Sequence, residues 1–389
     1  MNAAARELPL RRYDLDWIRI GAFLLLILYH VGMYYVPWDW HVKSPTPSAA
    51  LEPLLLLVNP WRLSILFLVS GAATAFMLRR QAPGELARHR SSRLLVPLVF
   101  GMLVIVPPQS YFEVVQKGGY ADGFLAFWGR YLRADGSFCR GDECLILPTW
   151  NHLWFLPYLW FYTMVLAAVL ALRPSLVVAA RRFVEHRLAG PGVLIAPWLA
   201  LALLRVTMLS AFPQSHTFID DWYNHAQYLL VFAFGFLCID APRVWEALVR
   251  YRRTALLVAL ASYLFLAWYF GTYSDDRVPP DALRMLQRVI YAANQWAWIV
   301  AILGHGRLLL DRDSAARRYL TDAIFPFYIV HQTVIIAAAV WLRPLELRPA
   351  LEAGLLIAIT AAACVATYEV VRRVPWLRPL FGLKPTPRK

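Results

Sequence analysis

Three ionisable side chains in one apolar segment near the start of the chain are the residues that most directly suggest chemistry. Asp16, Arg19 and His30 fall within residues 15–36, which are otherwise mainly apolar. A helix turns about 100° per residue, so the three side chains share one stripe, with Arg19 roughly 16 Å from His30 along the axis. Ionisable groups are costly in a membrane helix and usually mark function there. The stripe therefore predicts a functional site in this segment.

The residue types on this stripe suit a substrate that threads a membrane. An imidazole is a natural general base near neutral pH. Arginine binds phosphate oxygens through a planar fork of donors. A phosphorylated carrier held by arginines at one end could thus present its reactive end to His30 at the other.

Composition indicates which class of protein must position these residues. The chain has 389 residues, of which 59% are hydrophobic and only 16% charged, whereas soluble proteins carry about a quarter charged residues. The mean hydropathy is +0.48. The net charge of +14 is spread in short groups between apolar segments, without the long basic stripe that nucleic-acid binding favours. We therefore predict a polytopic helical membrane protein that binds no nucleic acid.

Ten apolar runs of about 20 residues, the length that spans a bilayer, predict an all-α fold in a single membrane domain, residues 1–389. The first run lacks a signal-peptide cleavage site, so we interpret it as a retained span. The sixth is short, and the eighth begins with polar residues. The runs lie near 15–36, 54–78, 93–112, 152–172, 191–212, 225–241, 254–272, 287–310, 321–342 and 350–371.

Lys and Arg residues predict how these spans are oriented. Most of the 39 Lys and Arg residues fall in every second connection and in the basic tail, about 372–389. By the positive-inside rule these segments face the cytoplasm. We therefore predict an inner-membrane protein with both termini inside and one long outer loop, about 113–151.

Cysteine usage leaves two alternatives in the outer loop. Cys139 and Cys144 could form a disulfide in an oxidising compartment or remain free thiols. Cys238 and Cys364 fall in spans, where free cysteine packs as a small hydrophobe. No His or Cys spacing typical of a metal site is present, so we predict neither a metal nor a permanently bound cofactor.

Three arginines in or just before the next two spans are candidate site residues. Span two runs opposite to span one, so Arg62 should lie close to the level of His30, while Gly71 allows close helix approach. Arg90 and Arg93 are three residues apart and share a helix face. They are either a positive-inside anchor or a phosphate clamp.

Later spans carry four more candidate residues, each of which also has a purely structural interpretation. His152 and Trp154 open span four, as an interface belt or as part of a site. His331 in span nine is either a hydrogen-bonded core residue or a site residue. Glu369, near the inner end of span ten, is most simply an ion-pair partner of a neighbouring arginine.

Together these residues resemble the acyltransferase-3 family of membrane acyltransferases, and within it the glucan biosynthesis branch, which succinylates osmoregulated periplasmic glucans. The family's Arg-x10-His pattern matches Arg19 and His30, and the matching blocks extend from span one to the C-terminus. They are Leu15-Asp16, Trp40-His41-Val42-Lys43-Ser44, Arg62 before Phe67-Leu68-Val69-Ser70-Gly71, Arg90 and Arg93 before Val96-Pro97, His152-Leu153-Trp154-Phe155-Leu156, Tyr328-Ile329-Val330-His331, Tyr368-Glu369-Val370, and Pro375 with Leu380-Phe381-Gly382 and Lys384-Pro385.

The resemblance implies an O-acyltransferase that uses cytoplasmic acyl-CoA, succinyl-CoA for this branch, as donor and a periplasmic glucan hydroxyl as acceptor. His30 would be the base or, alternatively, carry the acyl group. Asp16 and Arg19 would position donor or base, and Arg62 would stabilise the thioester oxyanion or hold the succinyl carboxylate. The residues assigned to substrate binding are Arg90 and Arg93 on CoA phosphates, with His41, His152, Trp154, Tyr328, His331 and Glu369.

Two departures from the branch and two rival functions accompany this interpretation. The branch often has a second histidine where this chain has Gln332, and the Cys139 and Cys144 pair is unusual in it. The rivals are acetylation of another surface polysaccharide and a transporter or flippase without chemistry, which would often show internal repeats. No repeat is evident, which favours the enzyme. We expect the protein to be surrounded by membrane lipid, and the sequence is compatible with either a monomer or a homo-oligomer.

Overall fold

The structure is a computed structural model that describes residues 11–140, 143–273 and 276–385. Helices dominate this part of the chain, because a backbone in lipid must satisfy its hydrogen bonds internally. The prediction of an all-α membrane protein is confirmed. The α-helices are α1 (Tyr13–Tyr35), α2 (Glu52–Val58), α3 (Arg62–Leu78), α4 (Pro83–Phe100), α5 (Pro107–Gly118), α6 (Phe124–Leu132), α7 (Phe155–Leu172), α8 (Pro174–Arg187), α9 (Gly192–Met208), α10 (Trp222–Cys238), α11 (Pro242–Thr272), α12 (Asp281–Leu309), α13 (Ala315–Leu342), α14 (Pro349–Arg373) and α15 (Leu377–Leu380).

All ten predicted segments fall on helices, but ten spans are not confirmed. Within the described residues, seven helical segments are long and apolar enough to cross a membrane. The number is eight if α8 and α9, bent by 119° at their junction, form one span. Helices α9 and α10 have 17 residues each, fewer than the roughly 20 that cross a bilayer. The first turns of α12 carry Arg284 and Arg288, which lower its hydropathy.

Helix α1 packs against α3, α12, α13 and α14. Each end of α1 is tied to α13. At one end Arg317 donates to Asp16 at 2.6 Å, and at the other His30 lies 2.9 Å from His331. The two helices therefore position the polar stripe seen in the sequence.

Charged side chains meet at the Asp16 end of α1, which we call the basic end. Besides the Arg317–Asp16 pair, Arg79 and Arg181 both pair with Asp240 there. The segments predicted to be cytoplasmic thus meet at one end of the bundle. Residues 1–10, and residues 386–389 of the predicted basic tail, lie outside the described residues.

The predicted long loop, 113–151, is more structured than expected. Helix α5 extends into it as far as Gly118, because the chain passes from α4 through a π-helical turn at Gly101–Ile105 without leaving the helix. Helix α6 follows, and then two short antiparallel strands, β1 (Cys139–Arg140) and β2 (Glu143–Cys144). A disulfide joins Cys139 to Cys144, which is one of the two alternatives that the sequence left open.

Close packing of α3 against α10 depends on glycine. A Cβ atom on Gly71 would lie 2.0 Å from the carbonyl oxygen of Phe232, and one on Gly235 would lie 1.9 Å from that of Leu68. Only glycine allows two helix backbones to approach so closely. The predicted role of Gly71 is confirmed, and the crossing fixes α3, whose first residue is Arg62.

Candidate active site

A cavity of about 740 Å³ opens at the end of α1 opposite the basic end, and we call it the histidine cavity. Helices α1, α3, α7 and α13 contribute to its wall, together with the connections that follow α1 and α9. It brings together residues from six separate stretches of the sequence, between Phe23 and Gln332. The predicted site residues that line it are His30, His41, Arg62, His152, Trp154 and Tyr328.

The hydrogen bonds behind His30 determine which of its nitrogens is free. His331 Nδ1 lies 2.8 Å from the backbone oxygen of Tyr328, and because a carbonyl can only accept, this nitrogen carries a proton. With both rings neutral, His331 Nε2 accepts the proton of His30 Nδ1 at 2.9 Å. His30 Nε2 is then left with a lone pair, so the chain of hydrogen bonds prepares His30 to accept a proton in the cavity.

The second histidine of the wall, His152, is held at both ring nitrogens. Its Nε2 lies 3.1 Å from the backbone oxygen of Ile329, and its Nδ1 lies 3.2 Å from the side-chain nitrogen of Gln109. Tyr328 donates its hydroxyl to the His152 carbonyl at 2.6 Å. Because both nitrogens are used, His152 supports the wall and His30 is the better base.

Arg62 brings a buried positive charge to the histidine cavity. Its guanidinium lies 3.5 Å from the centroid of the Tyr29 ring and donates to the side-chain oxygen of Asn59. Its side chain is only 7% exposed, and its Nε has no hydrogen-bond partner. Within the described ranges no carboxylate pairs with Arg62, so this group suits an anionic ligand or a developing negative charge.

A short ion-pair chain runs along the mouth of the cavity. His41 Nδ1 lies 2.5 Å from Glu113, which also pairs with Lys117 at 3.0 Å. Lys117 in turn lies 2.9 Å from Asp39. Since Glu113 orients one nitrogen of His41, the other is available for a ligand in the cavity that His41 lines.

Sequence reasoning missed three residues that shape this site. Asn59 holds Arg62, Gln109 holds His152, and His216 lies against Trp154 with ring centroids 4.1 Å apart. Burial lowers the pKa of His216, against the opposing effect of Asp221. Gln109 is fully buried, and a polar amide within an apolar segment could have marked it as a candidate from the sequence. His216 lies in an irregular connection, where the sequence offers no such signal.

Predicted residues near the basic end form a separate cationic cluster of Arg19, Arg90 and Arg93. Arg90 is buried and donates to Thr74 at 2.9 Å, and the positive charges of the three arginines lie close enough to interact. The Nε atoms of Arg19 and Arg90 are buried without a partner. Of the three, only Arg19 pairs with a carboxylate in the described part of the chain, at 3.9 Å from Asp16. The cluster is thus suited to bind an anion such as phosphate.

Asp16 and Glu369 are ion-pair residues remote from the histidine cavity. Asp16 pairs with Arg317 and Arg11, and Glu369 pairs with Arg372 and Arg373 at 2.8 Å each. Neither carboxylate lines the cavity around His30. Among the residues that the structure describes, no group of three or more His, Cys, Asp or Glu side chains is arranged to hold a metal ion.

Comparison with known proteins places this chain in a family. The acyltransferase-3 family profile, described as an acyltransferase domain, matches residues 12–369. The chain is 23% identical over 389 residues to Glucans biosynthesis protein C of Escherichia coli O6:K15:H31, covering 97% of this chain and 96% of that protein. The protein of the same name from Escherichia coli O157:H7 strain EC4115 is 23% identical over 387 residues, with the same coverage. No solved structure matches. The chain belongs to the acyltransferase-3 family and is a multi-pass membrane acyltransferase.

Proposed function

We propose that the protein moves a succinyl group from succinyl-CoA to a hydroxyl of a periplasmic glucan, with His30 as general base. The observation that carries the proposal is the hydrogen bond between His30 Nδ1 and His331 Nε2, which leaves His30 Nε2 as a lone-pair acceptor in the histidine cavity. The names of the relatives, which refer to glucans, support the class of acceptor.

The reaction needs one proton acceptor and one site for negative charge. His30 Nε2 takes the proton of the sugar hydroxyl while its oxygen attacks the thioester carbonyl. A tetrahedral intermediate forms, with negative charge on the former carbonyl oxygen. The carbon–sulfur bond then breaks, the CoA sulfur takes the proton from His30, and a sugar ester remains. The positive charge of Arg62, on the same cavity wall, favours each negatively charged species.

Arg62 also supports a dicarboxylic acyl group over acetyl. A buried guanidinium without a carboxylate partner in the described residues is costly unless a ligand supplies one. The free carboxylate of a succinyl group would do so, with the planar pairing that arginine favours. An acetyl group offers no such charge.

The cationic cluster of Arg19, Arg90 and Arg93 supports a CoA ester as donor. It would hold the nucleotide phosphates, while the extended pantetheine arm covers the roughly 16 Å that separates Arg19 from His30 along α1. The positive-inside rule supports a cytoplasmic basic end, with both termini inside, and a periplasmic histidine cavity. An inner-membrane location follows from the same proposal.

Transfer by the purified protein tests the proposal directly. Wild type, supplied with succinyl-CoA and a glucan, should yield succinylated glucan detectable by mass spectrometry. His30→Ala should reduce the rate by about 10²–10⁴, the usual loss for a general base, while His89→Ala, an exposed histidine on α4, should not. Near-normal turnover in folded His30→Ala would refute the role of His30.

Exchange of Arg62 separates its two possible roles. If Arg62 holds the succinyl carboxylate, Arg62→Gln should lower kcat/KM for succinyl-CoA much more than for acetyl-CoA. If it stabilises the oxyanion, both donors should lose activity equally. A wild type that prefers acetyl-CoA would favour the rival acetyltransferase and remove succinyl from the proposal.

The donor site is tested with two lengths of donor. The double variant Arg90→Ala with Arg93→Ala should raise the KM for succinyl-CoA but leave the KM for succinyl-pantetheine, which lacks the nucleotide, unchanged. Arg88→Ala is the matched control, because Arg88 is exposed on the same helix. Equal KM increases for both donors would place the phosphates elsewhere.

A further inference from the structure

A second cavity of about 900 Å³ adjoins the histidine cavity, and we call it the lateral cavity. It lies against α5, the α6–β1 connection and the β hairpin. The proposed mechanism gives this cavity no role. The two cavities share three lining residues, Asp39, Ser215 and Thr217. The two cavities therefore lie side by side, with these three residues at their common rim.

The described residues that line the lateral cavity carry charges of both signs. Asp39 and Glu113 contribute two negative charges, and Lys117 and Arg130 two positive ones. Lys117 joins the two carboxylates, at 2.9 Å from Asp39 and 3.0 Å from Glu113. Arg130 is paired with Asp135 at 2.7 Å, so each of these described cations has a carboxylate partner, and such a lining favours a neutral ligand with many hydrogen-bonding groups over a highly charged one.

Hydroxyls and aromatic rings complete the lining. Ser215 and Thr217 present exposed hydroxyls 2.8 Å apart. Tyr120 and Phe138 are half-buried, with ring centroids 5.6 Å apart. An aromatic ring offers a rigid apolar surface beside polar groups, which matches a sugar ring with its apolar C–H face and its rim of hydroxyls.

We propose that the lateral cavity is an acceptor subsite that binds the sugar units next to the one acylated at His30. This inference rests on the proposed function, since it takes the acceptor to be a glucan. Binding several units at once would select a polymer over a free sugar, and it would hold the chain so that one hydroxyl reaches the histidine cavity through the shared rim at Asp39.

A steric block of the lateral cavity tests the subsite. Ser137 lines the cavity and is exposed, so Ser137→Trp should fill space there without disturbing a buried core. Leu132→Trp is the matched control, because Leu132 is 47% exposed nearby and does not line the cavity. Both variants introduce the same side chain on the same segment.

Binding is measured by calorimetry on the full-length protein in detergent, without donor, using a glucose disaccharide and a longer glucose oligomer. The long oligomer should bind wild type and Leu132→Trp at least about tenfold more tightly than the disaccharide, a difference of about 1.4 kcal/mol. In Ser137→Trp this ratio should fall to near one. Equal affinities of both ligands for wild type, or an unchanged ratio in Ser137→Trp, would overturn the subsite.

Failure of the subsite can be distinguished from failure of the proposed function. Acyl transfer to the disaccharide together with no length dependence of binding would remove the lateral cavity and leave the function standing. The opposite outcome would be binding that depends on oligomer length and loses this dependence in Ser137→Trp, without transfer from any acyl-CoA. This result would support the saccharide subsite and refute the transferase chemistry.

Discussion

Replacing His331 by phenylalanine tests whether His30 depends on a neighbour that fixes its tautomer. The variant keeps a ring in the buried site but removes the acceptor 2.9 Å from His30 Nδ1. In the proposed mechanism His30 becomes positively charged in the transition state, and a hydrogen bond to a charged group contributes about 1.5–3 kcal/mol. Each 1.36 kcal/mol is tenfold in rate, so kcat should fall about 10- to 100-fold. Both KM values should change little, because His331 does not line the histidine cavity.

The assay compares His331→Phe, His331→Gln, His30→Ala and the double variant His30→Ala with His331→Phe. The glutamine oxygen can accept from His30 Nδ1, so His331→Gln should retain more kcat than His331→Phe. The double variant should be no slower than His30→Ala, because residues that act as a unit are not additive. The positioning role of His331 would be refuted if the double variant had a kcat lower than that of His30→Ala by the full factor seen for His331→Phe alone. This outcome counts only in protein with an unchanged thermal unfolding midpoint.

Three further predictions concern packing, redox state and pH. Gly71→Ala should lower the free energy of unfolding by about 1–3 kcal/mol, because its Cβ would lie 2.0 Å from a carbonyl oxygen of α10. Gly21→Ala is the control, because a Cβ there meets open space and should not destabilise the protein. Equal thermal unfolding midpoints of the two variants would contradict the close crossing of α3 and α10. In denatured, unreduced protein an alkylating reagent should modify two of the four cysteines, and it should modify all four after reduction of the Cys139–Cys144 bond. Four reactive thiols before reduction would exclude the bond. Burial lowers the pKa of Lys43 from 10.5 to about 8, so the folded chain binds fewer protons than the unfolded chain between those values, and stability rises with pH there. The unfolding midpoint of wild type should thus rise relative to Lys43→Met across this range, and parallel pH profiles would show that Lys43 does not contribute.

Local features of the sequence were enough to locate the elements that position the site. The Asp16, Arg19 and His30 stripe follows from helical periodicity alone, and α1 runs unbroken from Tyr13 to Tyr35. Lys and Arg groups indicated which connections meet at one end. These properties depend on residues near one another in the chain, so they can be read without knowledge of the packing.

Long-range contacts could not be predicted in the same way. The partner of His30 is 301 residues away, and the partner of His41 is 72 residues away on α5. Nothing in either local sequence specifies such a pairing. The number of spans was also beyond reach, because α12 combines membrane length with polar first turns that bury Gln287 and Arg288.

The pairing of α1 with α13 constrains how the donor and the base can meet. Arg317 holds Asp16 at 2.6 Å, and His331 holds His30 at 2.9 Å, so the two helices are joined near both ends of the stripe. Sliding α1 by one helical turn, about 5.4 Å, would break both contacts and leave buried polar groups without partners, at a cost of about 1–3 kcal/mol each. The two contacts thus hold α1 in place against α13. Arg19 and His30 lie on this one unbroken helix, so α1 itself sets their separation of roughly 16 Å along the axis. A donor bound at the arginines must cover it with its own length, which favours a long flexible carrier over a small activated acid.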